Sequence, residues 1–350
     1  MIRMLIVLAL VLHLSVAASA STPERQPFIF TYQDLVYSGE VMLPGKHARG
    51  TIVIIPGHGS TELVGGNQFL SVRQFLVDEG FSVAYWDKAG CGASEGQYDH
   101  NQSIDSSADE AVAALAALEQ LDPPGFSHLG MWSISRGGWI VPAITERYQG
   151  LDFWVSVSGT SVLADSRYTL EANLHAQGRD DADISALMAE WDDYQRILVR
   201  GGSLNEFLEA TPNLMADPYF NSNEFTMTEE QLTNIQGYFQ SGDLQFDQAT
   251  NLAIMYPSLE TALERLSIPV LAILGKLDTQ VDWQATSRLY AKAANAGNMM
   301  LTTVLLEQCN HVMQKSVTGG VNEDLPPSTP ACDGYYAAMQ AWLQGIGDPS

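Results

Sequence analysis

The chain has 350 residues, of which 46% are hydrophobic, and a net charge of −24 that arises from 41 acidic side chains against 17 basic ones. This apolar content supplies a substantial core and excludes an intrinsically disordered chain. The acidic surface repels phosphates, which excludes nucleic acid and anionic membranes as partners. The length exceeds that of one ordinary domain, so we expect one catalytic core with a sizeable insertion.

The first twenty residues have the three parts of a secretory signal peptide. Arg3 lies near the start, an apolar run covers residues 5–16, and the tripeptide Ala-Ser-Ala precedes Ser21. The run is shorter than the about 20 residues that a membrane span needs. We therefore predict a secreted or periplasmic protein that loses residues 1–20 and has no membrane span in its mature part.

Strand and helix patterns alternate along the mature chain. Strands are predicted by runs of apolar residues or of residues with high β propensity. These runs cover 27–44 (two antiparallel strands), 50–57, 80–87, 126–133, 151–159, 268–278 and 300–311. Helical spacing covers 105–121, 136–148, 283–296 and 335–343. This alternation predicts an α/β fold with a mostly parallel central sheet flanked by helices.

The alternation is interrupted between residues 161 and 265. Segments such as 184–200 and 228–239 carry Trp, Tyr, Leu and Met in helical-looking patterns. Strand patterns resume afterwards, so we predict a helical cap inserted into a core of residues 21–160 and 266–350. Ligands of such sheets bind at the carboxyl ends of the strands, and the cap would lie over them.

The stretch LGMWSISRGGWIVP, residues 129–142, contains two candidate nucleophiles. A nucleophile elbow is a sharp turn between strand and helix, and it needs small residues two positions before and after the nucleophile. Ser133 would have Met131 before it, which is too bulky. Ser135 has Ser133 and Gly137 as flanks, and we predict that it is the nucleophile.

A serine attacks only with a base to accept its proton and an acid to orient that base. In this strand–helix layout the acid and then the histidine follow the serine. Of the two later histidines, His175 falls in the insertion, whereas His311 follows a predicted strand. We assign Asp278 as the acid because it follows a strand, and Asp282 as the N-cap of the next helix.

An oxyanion hole needs N–H donors where negative charge develops. We expect one donor to be the backbone N–H of Arg136, which follows the nucleophile. The second should come from the loop PGHGS, and we assign it to the N–H of His58, with Gly59 as the alternative. The His58 side chain either lines the pocket or is solvated.

Export permits disulfides, and three cysteines leave at least one unpaired within the chain. Cys309 and Cys332 lie close in sequence, and the Gly- and Pro-containing loop between them can bring them together. The sequence leaves two alternatives open: a Cys309–Cys332 disulfide, or two reduced thiols. Cys91, in a Gly-rich turn, would be the free thiol and a small turn residue.

These segments together resemble the α/β-hydrolase superfamily, within it the capped esterases and the serine aminopeptidases of the proline iminopeptidase type. IIPGHGSTE resembles the oxyanion loop, SISRGGWIVP the elbow, LGKLDTQVD the acid loop and CNHVM the histidine loop. YWDKAGCGASEG resembles the D-x-R-G-x-G-x-S turn, with Ala89 where arginine is common. The resemblance implies a Ser135–His311–Asp278 triad beneath a cap between the sixth and seventh core strands.

We expect a serine hydrolase that cleaves small carboxylic esters through an acyl-enzyme. The main alternative is an aminopeptidase, which must bind a free ammonium group through cap acids such as Glu171, Asp180, Asp181 and Glu190. A second alternative is a non-catalytic ligand-binding protein on the same fold. No metal or cofactor motif is present in the sequence, so we expect neither. The oligomeric state is left open.

Overall fold

The structure is a computed structural model that describes residues 23–45, 47–222, 225–242 and 244–346. The predicted signal peptide, residues 1–20, lies outside the described residues.

The strands of the described residues form one large sheet and one small hairpin. They are β1 (Glu24–Tyr32), β2 (Leu35–Leu43), β3 (Gly50–Ile55), β4 (Phe81–Trp86), β5 (Leu129–Ile134), β6 (Phe153–Val157), β7 (Gln245–Phe246), β8 (Ala253–Ile254), β9 (Pro269–Gly275) and β10 (Met300–Leu306). The large sheet has eight strands in the order β1-β2-β4-β3-β5-β6-β9-β10. Only β1 and β2 run antiparallel to their neighbours, so the sheet is mostly parallel, as predicted.

The burial of each strand distinguishes the centre of the sheet from its edge. Every residue of β3, β4, β5 and β6 is buried, which is typical of parallel strands covered on both faces. In contrast, β1 alternates exposed and buried residues along its second half because it is an edge strand with one face in solvent.

The helices of the described residues divide between the two faces of the sheet and the insertion. They are α1 (Leu70–Asp78), α2 (Ile104–Leu121), α3 (Gly137–Thr145), α4 (Ser166–Ala176), α5 (Asp181–Arg200), α6 (Leu204–Ala210), α7 (Pro212–Ala216), α8 (Glu229–Phe239), α9 (Leu259–Arg265), α10 (Trp283–Ala296) and α11 (Tyr335–Gly345). One face of the sheet packs against α2, α3, α9 and α10, and the other against α1 and α11. Within the described part of the chain, no helix combines the length and apolarity needed to cross a bilayer.

Helices α4 to α8 and the hairpin β7-β8 lie between β6 and β9 in the chain. Their apolar side chains form two clusters of their own, one around Trp191 and one around Phe207. The predicted insertion, 161–265, also includes α9. The buried side chains of α9 belong to the main core instead, so by packing the separate part of the insertion ends before Leu259.

Candidate active site

Ser135 occupies a strained turn between β5 and α3. Its φ of 56° is in the left-handed region, which a non-glycine residue adopts at a cost of about 1–3 kcal/mol. The surrounding backbone holds the turn: the Ser135 N–H donates to the Val157 carbonyl at 3.0 Å, and its own carbonyl accepts from Gly138 N–H at 2.7 Å. This is the geometry that an elbow needs in order to present a serine hydroxyl.

The flanks of Ser135 must be small because the strand and helix approach closely there. A Cβ on Gly137 would lie 2.8 Å from the Ser133 Cβ and 3.0 Å from the Ile55 carbonyl oxygen. Ser133 is fully buried and its Oγ accepts the indole N–H of Trp154 at 2.9 Å. Serine therefore replaces the usual glycine because its hydroxyl satisfies a buried indole, and Ser133 is a structural residue.

Asp278 and His311 form a buried pair. Asp278 Oδ2 lies 2.8 Å from His311 Nδ1, while its other oxygen accepts the backbone N–H groups of Gln280 at 2.8 Å and Val281 at 2.9 Å. Asp278 is 2% exposed and His311 7% exposed. A carboxylate held at Nδ1 leaves Nε2 as the ring nitrogen that can accept a proton.

The end of β6 links this pair to the elbow. Ser158, which follows the Val157 that holds Ser135, donates its hydroxyl to the His311 carbonyl at 2.7 Å. Ser158 N–H in turn donates to Ile273 of β9 at 2.9 Å. The loops that carry the predicted nucleophile, acid and base thus converge at the carboxyl ends of neighbouring parallel strands, where ligands of such sheets bind.

The predicted oxyanion loop packs directly on the elbow. A Cβ on Gly57 would lie 3.0 Å from the Ser135 Cβ and 3.2 Å from the Ile134 carbonyl oxygen, so only glycine allows this approach. Among the described residues, the N–H groups of His58, Gly59 and Arg136 have no protein acceptor. Each is available to an oxyanion, and both candidates for the second donor stay open.

Lys88 fixes the conformation of this loop. Its ammonium donates to the Gly57 carbonyl at 2.6 Å and to the Gly59 carbonyl at 2.8 Å, one on each side of His58. Burial, with the nearby Arg136 charge, lowers the pKa of Lys88 to about 8. The sequence analysis missed Lys88, because its role depends on the carbonyls of a loop that lies earlier in the chain.

The same turn is stable without the arginine that Ala89 replaces. Buried Asp87 accepts the backbone N–H groups of Leu63 at 2.6 Å, Val64 at 2.8 Å and Ala93 at 3.2 Å. These three donors satisfy the carboxylate, so an ion pair at position 89 is not needed to hold it.

A cavity of about 680 Å³ separates the elbow from the insertion. Ser135, Arg136 and His58 line its core side, and Asp165 and Leu244 line its insertion side. A second cavity of about 710 Å³ lies within the insertion, with Trp191 and Tyr194 in its wall. The two cavities share Ala164, Ser166 and Thr169, so they adjoin each other at the start of α4.

Asp165 is a site residue that the sequence analysis did not find. It precedes α4 like an N-cap, yet its side chain does not cap that helix and instead accepts the Asp282 N–H at 3.0 Å. Burial raises the pKa of Asp165 to about 7, and the carboxylates of Asp278 and Asp282 add to that rise. Asp282 caps α10, as predicted, through Gln284 and Ala285.

Helix α4 is bonded to the acid loop. The Tyr168 hydroxyl donates to the Asp278 carbonyl at 2.6 Å, Thr169 to Gln280 at 3.0 Å, and the Asn173 amide to Thr279 at 3.0 Å. This part of the insertion therefore helps to hold Asp278 in place.

The acids proposed for ammonium binding lie away from the Ser135 cavity. Glu171 pairs with Arg167, Asp180 caps α5 through its own first turn, and Glu190 accepts from Asn213. Asp181, exposed in the first turn of α5, does not line the cavity either.

A disulfide joins Cys309 to Cys332, with their Cα atoms 5.4 Å apart. The Cys332 N–H also donates to the Met313 carbonyl at 2.9 Å, so both ends of the loop that carries His311 are fixed. Cys91 is buried and free.

Comparison with known proteins identifies the class of enzyme to which the chain belongs. The model of the X-Pro dipeptidyl-peptidase (S15) family matches residues 35–313, and no curated protein matches the chain. Many solved structures are similar, among them the following three. An esterase from Pyrococcus furiosus is 14% identical, with a TM-score of 0.53 over 93% of this chain and 90% of that one.

A thermostable carboxyl esterase from Bacillus coagulans is 16% identical, with a TM-score of 0.53 over 92% of this chain and 98% of that one. A proline iminopeptidase from Mycobacterium smegmatis is 13% identical, with a TM-score of 0.51 over 92% and 98%. At such low identities these likenesses establish the fold, and they confirm the predicted α/β-hydrolase architecture.

Proposed function

We propose that this chain, which belongs to the X-Pro dipeptidyl-peptidase (S15) family, cleaves carboxylic esters through an acyl-enzyme on Ser135. It is a serine hydrolase of the α/β-hydrolase type. The observation that carries the proposal is the left-handed Ser135 turn, which the end of β6 links to the buried Asp278–His311 pair.

In the proposed reaction, Ser135 Oγ attacks the ester carbonyl carbon while His311 Nε2 accepts its proton. The oxyanion receives hydrogen bonds from the N–H of Arg136 and that of His58. His311 then protonates the departing alkoxide and the acyl-enzyme forms. Water, deprotonated by His311, attacks the acyl carbon, and release of the acid returns the proton to Ser135. Asp278 stabilises the imidazolium in both halves of the cycle.

The charges around the cavity favour ester over peptide substrates with a free amino terminus. An aminopeptidase needs a carboxylate that pairs with the ammonium group, and the cap acids considered above are engaged elsewhere. Lys88 and Arg136, whose charges add to the effect of burial in lowering the pKa of His58, are cations close to the oxyanion loop. The apolar cavity in the insertion offers space for an acyl or alkyl group of the ester.

One observation favours a peptidase as the second candidate. Asp165 lines the cavity opposite Ser135, and nearby carboxylates would support an ammonium group bound there. The S15 family is itself described by an X-Pro dipeptidyl-peptidase activity.

Two substrates distinguish the esterase from the peptidase: p-nitrophenyl butyrate and Ala-Pro p-nitroanilide. Hydrolysis of both is measured on the same preparations of wild type and Ser135→Ala. We expect ester turnover that Ser135→Ala abolishes, and anilide turnover at least a hundredfold slower. Faster anilide turnover that depends on Ser135 would replace the ester hydrolase by the peptidase. Ester turnover that survives Ser135→Ala would exclude the proposed nucleophile.

We also propose that the enzyme is exported and matures by loss of residues 1–20. The Cys309–Cys332 disulfide supports this, because such bonds persist in oxidising compartments. Intact-mass measurement of the protein from the periplasmic or culture fraction should give a chain that begins at Ser21. A chain that keeps residues 1–20 in the cytoplasmic fraction would contradict export.

A further inference from the structure

Arg136 contributes a second feature to the site besides its backbone N–H. Arg136 is 8% exposed and lines the same cavity as Ser135. One of its Nη atoms donates to the Gln102 carbonyl, and among the described residues no carboxylate pairs with it. In the part of the chain that the structure describes, its Nε and its other Nη have no hydrogen-bond partner, and neither is fully buried.

Basic side chains surround His58 although the protein is strongly acidic. The charges of Arg136, Lys88 and His100 all lower the pKa of His58, after burial as the largest cause. The His58 and His100 rings are 5.9 Å apart. In a chain of net charge −24, basic side chains are thus grouped near the cavity that Ser135 lines.

The neighbouring acids Glu110 and Asp99 offset part of the Arg136 charge, but among the described residues neither forms an ion pair with it. Glu110, the buried carboxylate of this region, accepts from Trp86 at 2.8 Å and from Gln102 at 2.9 Å. Asp105 is paired with Arg147. Asp165 accepts from Asp282, and Asp99 accepts from the backbone of Asn101.

We propose that the Arg136 guanidinium is an anion subsite, and that the enzyme's substrates are esters that also carry a carboxylate. The inference rests on the proposed ester hydrolysis and names its substrate class. A guanidinium binds a carboxylate through two parallel N–H···O bonds, and its low exposure keeps that pair from being screened. The guanidinium is attached to the residue after Ser135, so it fixes the orientation of a substrate at the nucleophile.

The test compares kcat/KM for anionic and neutral substrates in two arms. For a carboxylate on the acyl side, the pair is mono-p-nitrophenyl glutarate and p-nitrophenyl butyrate. For one on the leaving group, the pair is 4-butanoyloxybenzoic acid and its methyl ester. We expect the wild type to prefer the anionic member of one pair. Arg136→Gln should lower that ratio by about ten- to a hundredfold, whereas Arg136→Lys should keep part of it.

A ratio is the readout because damage to the fold or to the oxyanion hole slows both members of a pair alike. Arg265→Gln is the control: it removes one positive charge from a side chain that is 70% exposed and does not line this cavity, and both ratios should stay at the wild-type value. No anionic preference in either arm, or a preference that survives Arg136→Gln, would overturn the anion subsite.

Calorimetry separates this inference from the proposed function. Glutarate should bind Ser135→Ala protein and bind at least tenfold more weakly when Arg136→Gln is added. If esters are not hydrolysed but glutarate binds in this Arg136-dependent way, the proposed function fails and the anion subsite stands. If neutral esters are hydrolysed through Ser135 and glutarate does not bind, the subsite alone is refuted.

Discussion

The disulfide beside the histidine loop has a stability effect whose size follows from its position. Cys309 and Cys332 are 23 residues apart in sequence, and both are buried. Loop-closure entropy for a cross-link of this span stabilises the folded state by about 3 kcal/mol. The unfolding entropy of a chain of this length is about 0.7 kcal/mol per kelvin, so the double substitution Cys309→Ala/Cys332→Ala should lower Tm by about 4 °C beyond the loss of the sulfur contacts.

Cys91→Ala supplies the matched control because Cys91 is buried and free. Its effect on Tm measures the loss of one buried sulfur, and scanning calorimetry of the wild type, both variants and the reduced wild type isolates the cross-link. Reduction should lower the Tm of the wild type by a similar amount and leave that of the double variant unchanged. The stabilising effect of the disulfide is refuted if the double variant lowers Tm by no more than twice the decrease that Cys91→Ala causes.

Three further substitutions test the oxyanion loop and Asp165. Lys88 donates as an ammonium below its pKa of about 8, so kcat/KM for a neutral ester should decline as the pH rises through 8. Lys88→Arg should remove this alkaline decline. A pH profile that Lys88→Arg leaves unchanged would show that Lys88 does not fix the conformation of the oxyanion loop. Burial raises the pKa of Asp165 to about 7, so the folded protein binds more protons than the unfolded one between about pH 4 and 7 and loses stability as the pH rises through that range. The Tm gain of Asp165→Asn should therefore be larger at pH 8 than at pH 5, and equal gains at both would be inconsistent with a strained carboxylate. Gly57→Ala places a Cβ 3.0 Å from that of Ser135, so kcat for ester hydrolysis should fall about 10²-fold with little change in Tm, whereas full activity would show that the loop position is unimportant.

Much of the core could be predicted because its signals are local. The mostly apolar runs of β3 to β6 identify buried parallel strands, and α10 begins at Trp283 after the N-cap Asp282. Helix α1 was not predicted. It begins after Phe69 in a left-handed conformation with no capping side chain and no acid in its first turn, so its start carries no sequence signal. The hairpin β7-β8 has two residues in each strand, too few for a period to appear.

At the site, spacing and chain order were enough to select residues that the fold places at adjoining strand ends. The structure brings Asp278 and His311 into contact and puts Ser135 on the strained turn. Lys88 and Asp165 could not be assigned from sequence, because their roles depend on distant segments that fold against them: the carbonyls of the oxyanion loop for Lys88, and the Asp282 amide for Asp165.

The measurement closest to the central claim is covalent labelling of the nucleophile. The protein would be incubated with a fluorophosphonate and the adduct located by peptide mass spectrometry, in wild type, Ser135→Ala, Ser133→Ala and His311→Ala. The account predicts one adduct, on Ser135, that is absent from Ser135→Ala, retained in Ser133→Ala and formed far more slowly in His311→Ala. An adduct on another residue, or labelling that persists in Ser135→Ala, would contradict it.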